Sequence, residues 1–246
     1  TELAKITVKR ENKHCKNSLF HVIDADTEID FKNANISFFH TTHSIPGSLG
    51  VDVHTPAGEV VYTGDFKFDP SAAPHYRTDM DRLAEIEQKG VLALLSDSSN
   101  AEASFPSASE QDIGKYVTGV FRNATGRIIV ASKASNLNRV QEVLNAAYAT
   151  GKRVLLTGRD VGKIVRTSMK LGYLKVPKGL LMRVKDLKNN PDNKTVILET
   201  GQMGEPLDSL QKMAKKRHSM ITIHKGDLVF IATTPSHAVE TMVAQT

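Results

Sequence analysis

The chain contains no tryptophan, a single cysteine (Cys15) and only 6% aromatic residues. One cysteine excludes an internal disulfide and a cluster of thiolate metal ligands. No apolar run approaches the roughly 20 residues of a membrane span. The basic N-terminal stretch TELAKITVKRENK also lacks the charged-then-apolar order of a secretion signal. These absences lead to the expectation of a cytoplasmic protein. With so few rings, broad base-stacking platforms are not announced. What is present is 40% hydrophobic residues in 246, enough to bury the core of one or two domains. The 32 basic residues against 27 acidic leave a net charge of +5. That balance suits contact with a polyanion and equally suits an ordinary solvated surface.

The most informative stretch runs over residues 41–69. It reads as a loop carrying His43, a strand, a Pro-Gly turn at residues 56–58, a second strand and a loop carrying Asp65. Val51, Val53, Val60 and Tyr62 alternate with polar residues, which predicts the half-buried face of a hairpin. A hairpin brings its outer ends together. His43 and Asp65 are therefore expected to converge at one sheet edge as a plausible pair of metal ligands.

Residues 1–40 read as β-rich, with strands over 19–23, 27–29 and 36–39 and a turn over 24–26. Cys15 reads as inert, and His14, His21 and His40 read as structural or exposed. After the hairpin, residues 78–89 have helical spacing and Gly90 ends them. Residues 91–95 are a continuous apolar run, predicted to be a buried strand flanked by helices. From residue 101 onward the patterns alternate. Helices are predicted over 109–123, 137–150, 160–171 and 206–216, with Ser109 a possible cap for the first. Strands are predicted over 127–131, 153–157, 195–199 and 227–232, and residues 185–194 read as a polar loop. This alternation predicts an α/β fold with a mainly parallel sheet. The boundary is placed at Asp97, giving domains 1–96 and 97–246.

Strand ends carry the remaining chemistry. Asp97 follows the apolar strand, where ligands collect in open α/β sheets; as a turn residue it would also be ordinary. Ser132, Ser135, Asn136 and Arg139 precede or open a helix, with Lys133 adding charge. They suit a phosphate site, or merely a helix cap. The glycines of TGQMGEP allow close backbone approach to a ligand, or simply a tight turn.

THSIP and TGDFKFD resemble the third and fourth metal-binding motifs of the metallo-β-lactamase superfamily, in the form used by ribonuclease J. LLSDSSNAE, ASKASNLNRVQ and ILETGQMGEP resemble the same family, in the same order. The resemblance is nearest its second paralogue group in Gram-positive bacteria. It implies part of a metallo-β-lactamase αββα sandwich followed by a β-CASP domain. It also implies a ribonuclease that degrades RNA from the 5′ end and cuts internally. Two divalent ions, zinc or manganese, would activate the attacking water. On that pattern His43 would be a ligand to one ion and Asp65 would bridge both. Asp97 would match the acidic residue of the first β-CASP motif. Ser132, Ser135, Asn136 and Arg139 would meet RNA, and Gly201, Gln202, Gly204 and Glu205 would line its channel. The implied partners are RNA and a second ribonuclease J chain, as homodimer or hetero-oligomer.

The sequence also departs from the family. None of its nine histidines forms His-x-His-x-Asp-His. In the family that motif lies upstream of the stretch matching residue 1, and two late histidines lie beyond the stretch matching Thr246. The expectation is therefore a central fragment that binds metal weakly or not at all and has no nuclease activity alone. Gly47 stands where active members often carry Asp, and the turn with Pro235 and Ser236 lacks the family's glycine. These departures raise an alternative, a catalytically weak paralogue supporting an active ribonuclease J. A small-molecule hydrolase is a third reading, disfavoured by the β-CASP-like half.

Overall fold

The computed structural model describes residues 1–11, 18–99, 101–102, 104, 108–158, 161–201 and 205–232. The chain divides into two units, Thr1–Gln111 and Asp112–Thr246. The division falls later than the Asp97 boundary read from sequence. Residues after Asp97 are tied back into the first unit: Glu110 donates its amide to Asp69 (2.7 Å) and Gln111 to Ser71 Oγ (3.4 Å). No helix among the described residues is long and apolar enough to cross a membrane.

In the first unit, a helix α1 (Glu2–Glu11) precedes a sheet in the order β1 (Ile29–Asp30), β2 (Asn35–His40), β3 (Leu49–Thr55), β4 (Gly58–Tyr62), β5 (Val91–Leu95). The pairs are antiparallel except β4–β5, which is parallel. α1 replaces the β-rich start expected there. Thr1 Oγ1 accepts from the Ala4 amide (3.4 Å), Leu3 is buried, and Glu, Leu, Ala and Lys outweigh the β-branched residues. Residues 19–23 form no strand, and Leu19 and Val22 are exposed. The turn over 24–26 forms, closed by Thr27 N donating to Asp24 O (3.3 Å).

The β3–β4 hairpin forms as predicted, but its faces are reversed. Asp52, Glu59 and Val61 are buried, whereas Val51, Val53 and Val60 are half-buried and Tyr62 is exposed. The reason lies in α2 (Met80–Lys89), which places Ile86 and Leu83 against Phe39 and Val61. Phe39 in turn lies over Gly50, where an added Cβ would come within 2.2 Å of the ring. The helix thus covers the face that carries the polar residues. α2 is capped by Asp79, whose carboxylate accepts from Arg82 N (3.0 Å), and it stops at Gly90 (φ +91°). A second reversal concerns β5. All five of its residues are exposed, Leu94 at 62%, and β4 is its one neighbour in the sheet. The apolar run predicts a buried strand, yet among the described residues of this unit nothing covers either of its faces.

The second unit is the α/β half. Its sheet runs β10 (Leu228–Ile231), β6 (Ile128–Lys133), β9 (Thr195–Gly201), β7 (Arg153–Thr157), β8 (Leu181–Met182), and every pair is parallel. The helices are α3 (Glu110–Asn123), α4 (Leu137–Ala149), α5 (Val161–Lys170) and α6 (Glu205–Ala214). Asp160, the expected start of α5, lies outside the described residues. All seven residues of β9 are buried, as a central parallel strand requires. α6 sets Leu207, Leu210 and Met213 against Ile129, Leu155 and Ile197, and α4 buries Val140, Val143, Leu144 and Ala147. The two-residue β8 was missed by sequence, and the expected polar loop coils into short 3-10 turns at Val184–Asn189 and Asp192–Lys194.

Candidate functional site

The first candidate site is built on Thr42. This fully buried residue follows β2 and exchanges hydrogen bonds with Thr78: Thr42 N donates to Thr78 Oγ1 (3.0 Å), and Thr78 N donates to Thr42 Oγ1 (2.9 Å). Its carbonyl accepts from Lys67 N (2.9 Å), making an isolated antiparallel bridge between the His43 loop and the Asp65 loop. Gly64, at φ +62°, turns the chain out of β4 in a conformation that favours glycine. His43 Nε2 and Asp65 Oδ2 then stand 3.7 Å apart, with the two side chains 35% and 74% exposed. That separation is too long for a hydrogen bond. The expected convergence of the hairpin ends is thus present, and Thr42, which sequence reasoning missed, accounts for it.

Asp97 joins the same edge. Its amide donates to Thr63 Oγ1 (3.1 Å), and its carboxylate accepts from the Ser99 amide (2.9 Å) and the Ser99 hydroxyl. The Ser99 hydroxyl, then the Ser99 amide, hold the Asp97 carboxyl below its ordinary range against a small opposing effect of burial. The Phe66 amide and the nearby His43 add to this lowering. Asp65 and Asp97, with Tyr62, Gly64, Leu95 and Ser96, line one open depression. Gly47 adopts φ +71°, a conformation that L side chains other than Asn and Asp seldom take.

The second candidate site lies at the carboxyl ends of β6 and β9. These strands are neighbours, with Ser132 opposite Thr200 and Lys133 opposite Gly201, and Ala134 N donates to Gly201 O (2.9 Å). The carboxyl ends of the two strands therefore lie side by side. Ser132 is fully buried, and Ser135 is exposed. Asn136 caps α4 by accepting from Arg139 N (2.9 Å), while Arg139 Nη1 donates to Glu142 Oε2 (2.8 Å). Gly201 sits against Glu205, whose Oε2 would lie 2.8 Å from an added Cβ. Gln202, Gly204, Pro235, Ser236 and His237 lie outside the described residues. A buried contact missed by sequence stands beside them: Thr157 Oγ1 donates to Glu199 Oε2 (2.5 Å), joining β7 to β9. Both residues sit inside predicted strands, so no sequence signal marked them.

A sequence profile for the β-CASP domain of ribonuclease J matches residues 125–246. The chain is 53% identical over 245 residues to Ribonuclease J 2 of Streptococcus pyogenes serotype M3, covering 99% of this chain and 44% of that one. It is 41% identical over 244 residues to Ribonuclease J 2 of Staphylococcus epidermidis, covering 99% and 44%. The chain belongs to the ribonuclease J family. Its second unit, from residue 125, carries that family's β-CASP domain. It spans 44% of the length of these relatives. A crystal structure of a protein of unknown function from Enterococcus faecalis shares the fold, with TM-score 0.55, 14% identity, and coverage of 92% of this chain and 59% of that one.

The donor chemistry of His43 and Asp65 suits a nitrogen- and oxygen-loving metal, but the number of donors does not suffice. Even a single catalytic zinc usually takes three protein ligands. Among the described residues no three His, Cys, Asp or Glu side chains group closely enough to hold an ion. Asp97 Oδ1 already accepts from Ser99. These residues do not by themselves constitute a metal centre.

Proposed function

We propose that this ribonuclease J-family chain is part of an RNA-degrading and RNA-processing nuclease. In this reading the longer protein hydrolyses phosphodiester bonds from the 5′ end and internally, in the cytoplasm, with zinc or manganese. The observation that carries the reading is the convergence of His43, Asp65 and Asp97 at one sheet edge. His43 and Asp65 are the share of the metal site that this chain contributes, and residues outside it complete the ligand set. The bare faces of β5 support the related proposal that the first unit is one part of a metallo-β-lactamase sandwich. A parallel strand with two exposed apolar faces reads as an interior strand of a larger assembly.

The test is metal content and digestion of 5′-monophosphorylated RNA by the full-length protein, beside its His43→Ala and Asp65→Ala variants. The expected outcome is about two bound metals per chain and a loss of activity in both variants of about a hundredfold or more, the weight of a few kcal/mol in the transition state. Activity that survives both substitutions overturns the reading. A second reading, a supporting subunit of an active ribonuclease J, is favoured by Gly47 standing where active members often carry a carboxylate. It predicts no metal and no digestion, with stimulation of a partner ribonuclease J.

A further inference from the structure

The loop that carries Asp65 also displays an aromatic pair that the proposed chemistry leaves unused. Along it, side chains alternate between inward and outward. Lys67 turns in, reaching Asp69 (3.4 Å) and bonding to Glu110. Asp69 is buried and accepts from Ser71 N (2.9 Å), Ser71 Oγ (2.6 Å) and the Glu110 amide (2.7 Å). Phe68 stands between these two anchored residues and is 62% exposed. Its ring packs edge-to-face on Phe66, with centroids 5.3 Å apart and planes at 74°. The residues on either side of Phe68 are held by these bonds, and Phe66 packs against its ring.

A water-exposed ring on an anchored segment offers a large apolar area, and its two side-chain torsions leave little freedom to lose on binding. Its position says what it would meet. The Thr42–Lys67 bridge sets Phe66 opposite His43, and Phe66 directly follows Asp65 in the chain. The aromatic pair is therefore continuous with the candidate hydrolytic edge. A ligand that offers a flat π-face within one residue of a phosphodiester is a single-stranded nucleic acid.

We propose that Phe68, braced by Phe66, is a stacking platform for one nucleobase of single-stranded RNA beside the His43–Asp65 edge. This rests on the nuclease reading above and adds a residue to it. Stacking on a ring tolerates every base, so the platform holds the strand without selecting sequence.

The test uses this chain and a labelled, 5′-phosphorylated single-stranded RNA, followed by fluorescence anisotropy. The variants are Phe68→Leu, which stays apolar but loses the ring, and Phe68→Trp, which keeps one. A series of the same RNA with one abasic site at each position in turn supplies the other half of a double-mutant cycle. Phe68→Leu is expected to weaken binding about fivefold or more, the usual worth of one stacked base. At one abasic position that loss should vanish. Because the chain has no tryptophan, Phe68→Trp introduces a single reporter, and its emission should be quenched on RNA addition. Binding that is equal in wild type and Phe68→Leu overturns the platform and leaves the RNA reading intact. Absence of any RNA binding by the wild-type chain overturns both for this chain. A Phe68→Leu loss that persists on every abasic RNA also overturns the platform, since the ring would then serve something other than a base.

Discussion

Asp52 is buried on the covered face of β3, where Ser37 Oγ donates to its carboxylate (3.3 Å) and Glu59 lies nearby, itself bonded to His54 Nδ1 (2.6 Å). Burial raises the Asp52 carboxyl, and the charge and hydrogen bond of Glu59 raise it further. Ser37 and Lys89 offset part of this. A raised carboxyl in the folded state holds its proton at pH values where the unfolded chain has released it. Its contribution to stability is therefore complete at low pH and is lost as pH rises through the folded value. Asp227 behaves in the opposite way. Burial pushes its carboxyl up, but hydrogen bonds from the Arg127 side chain (2.9 and 2.5 Å) and the His224 amide more than offset this, and it ends lowered. That contribution is present above the ordinary carboxylate range and is lost as pH falls. Asp52→Asn is expected to make the chain more stable near neutrality and to flatten the fall in stability as pH rises above the ordinary carboxylate range, leaving the acid-side loss from Asp227 in place. Urea midpoints across that range measure both arms.

At the scale of elements, the GDFKFD stretch organises more than the site. Asp69 and Ser71 take up the first amides of α3 from 40 or more residues away in sequence, a capping role that local motifs do not reveal. Asp69→Ala removes the acceptor of Glu110 N and one partner of Lys67 together. The expected cost is about 1–2 kcal/mol, the range for a lost cap. Denaturant unfolding measures it, and amide exchange at Glu110 should speed up selectively. Sequence reading located most of the second unit's strands and helices, because each has a long enough apolar period to declare itself. It misjudged the faces of β3 and β4, because alternation reveals two faces without saying which one a helix will cover. It also missed α1, because residues 1–40 as a whole read as β-rich.

At the scale of the molecule, β5 is the least satisfied part of the described structure. An exposed apolar parallel strand invites association with other chains. Leu92→Lys with Leu94→Lys is expected to reduce self-association of this chain, read by sedimentation, with little change in its unfolding temperature. In the longer protein the same pair is expected to lower stability by several kcal/mol, since two buried leucines would become unpaired charges. An equal tolerance in both would show that β5 is not covered there.

The sequence by itself determined the order of most elements of the second unit, the parallel character of its sheet, the family, and the two residues, His43 and Asp65, whose loops had to meet. These follow from local period, turn chemistry and motif order, which act over a few residues. Only the tertiary structure decided the rest. It chose which hairpin face is buried, because α2 packs on one side only. It brought Thr42 to Thr78 and Lys67, Asp69 to Glu110 and Thr157 to Glu199. It also left Phe68 in water between two anchored neighbours. Each of these contacts joins segments far apart in the chain, and hydrogen bonding and burial between such segments are set by packing, which no window of the sequence contains.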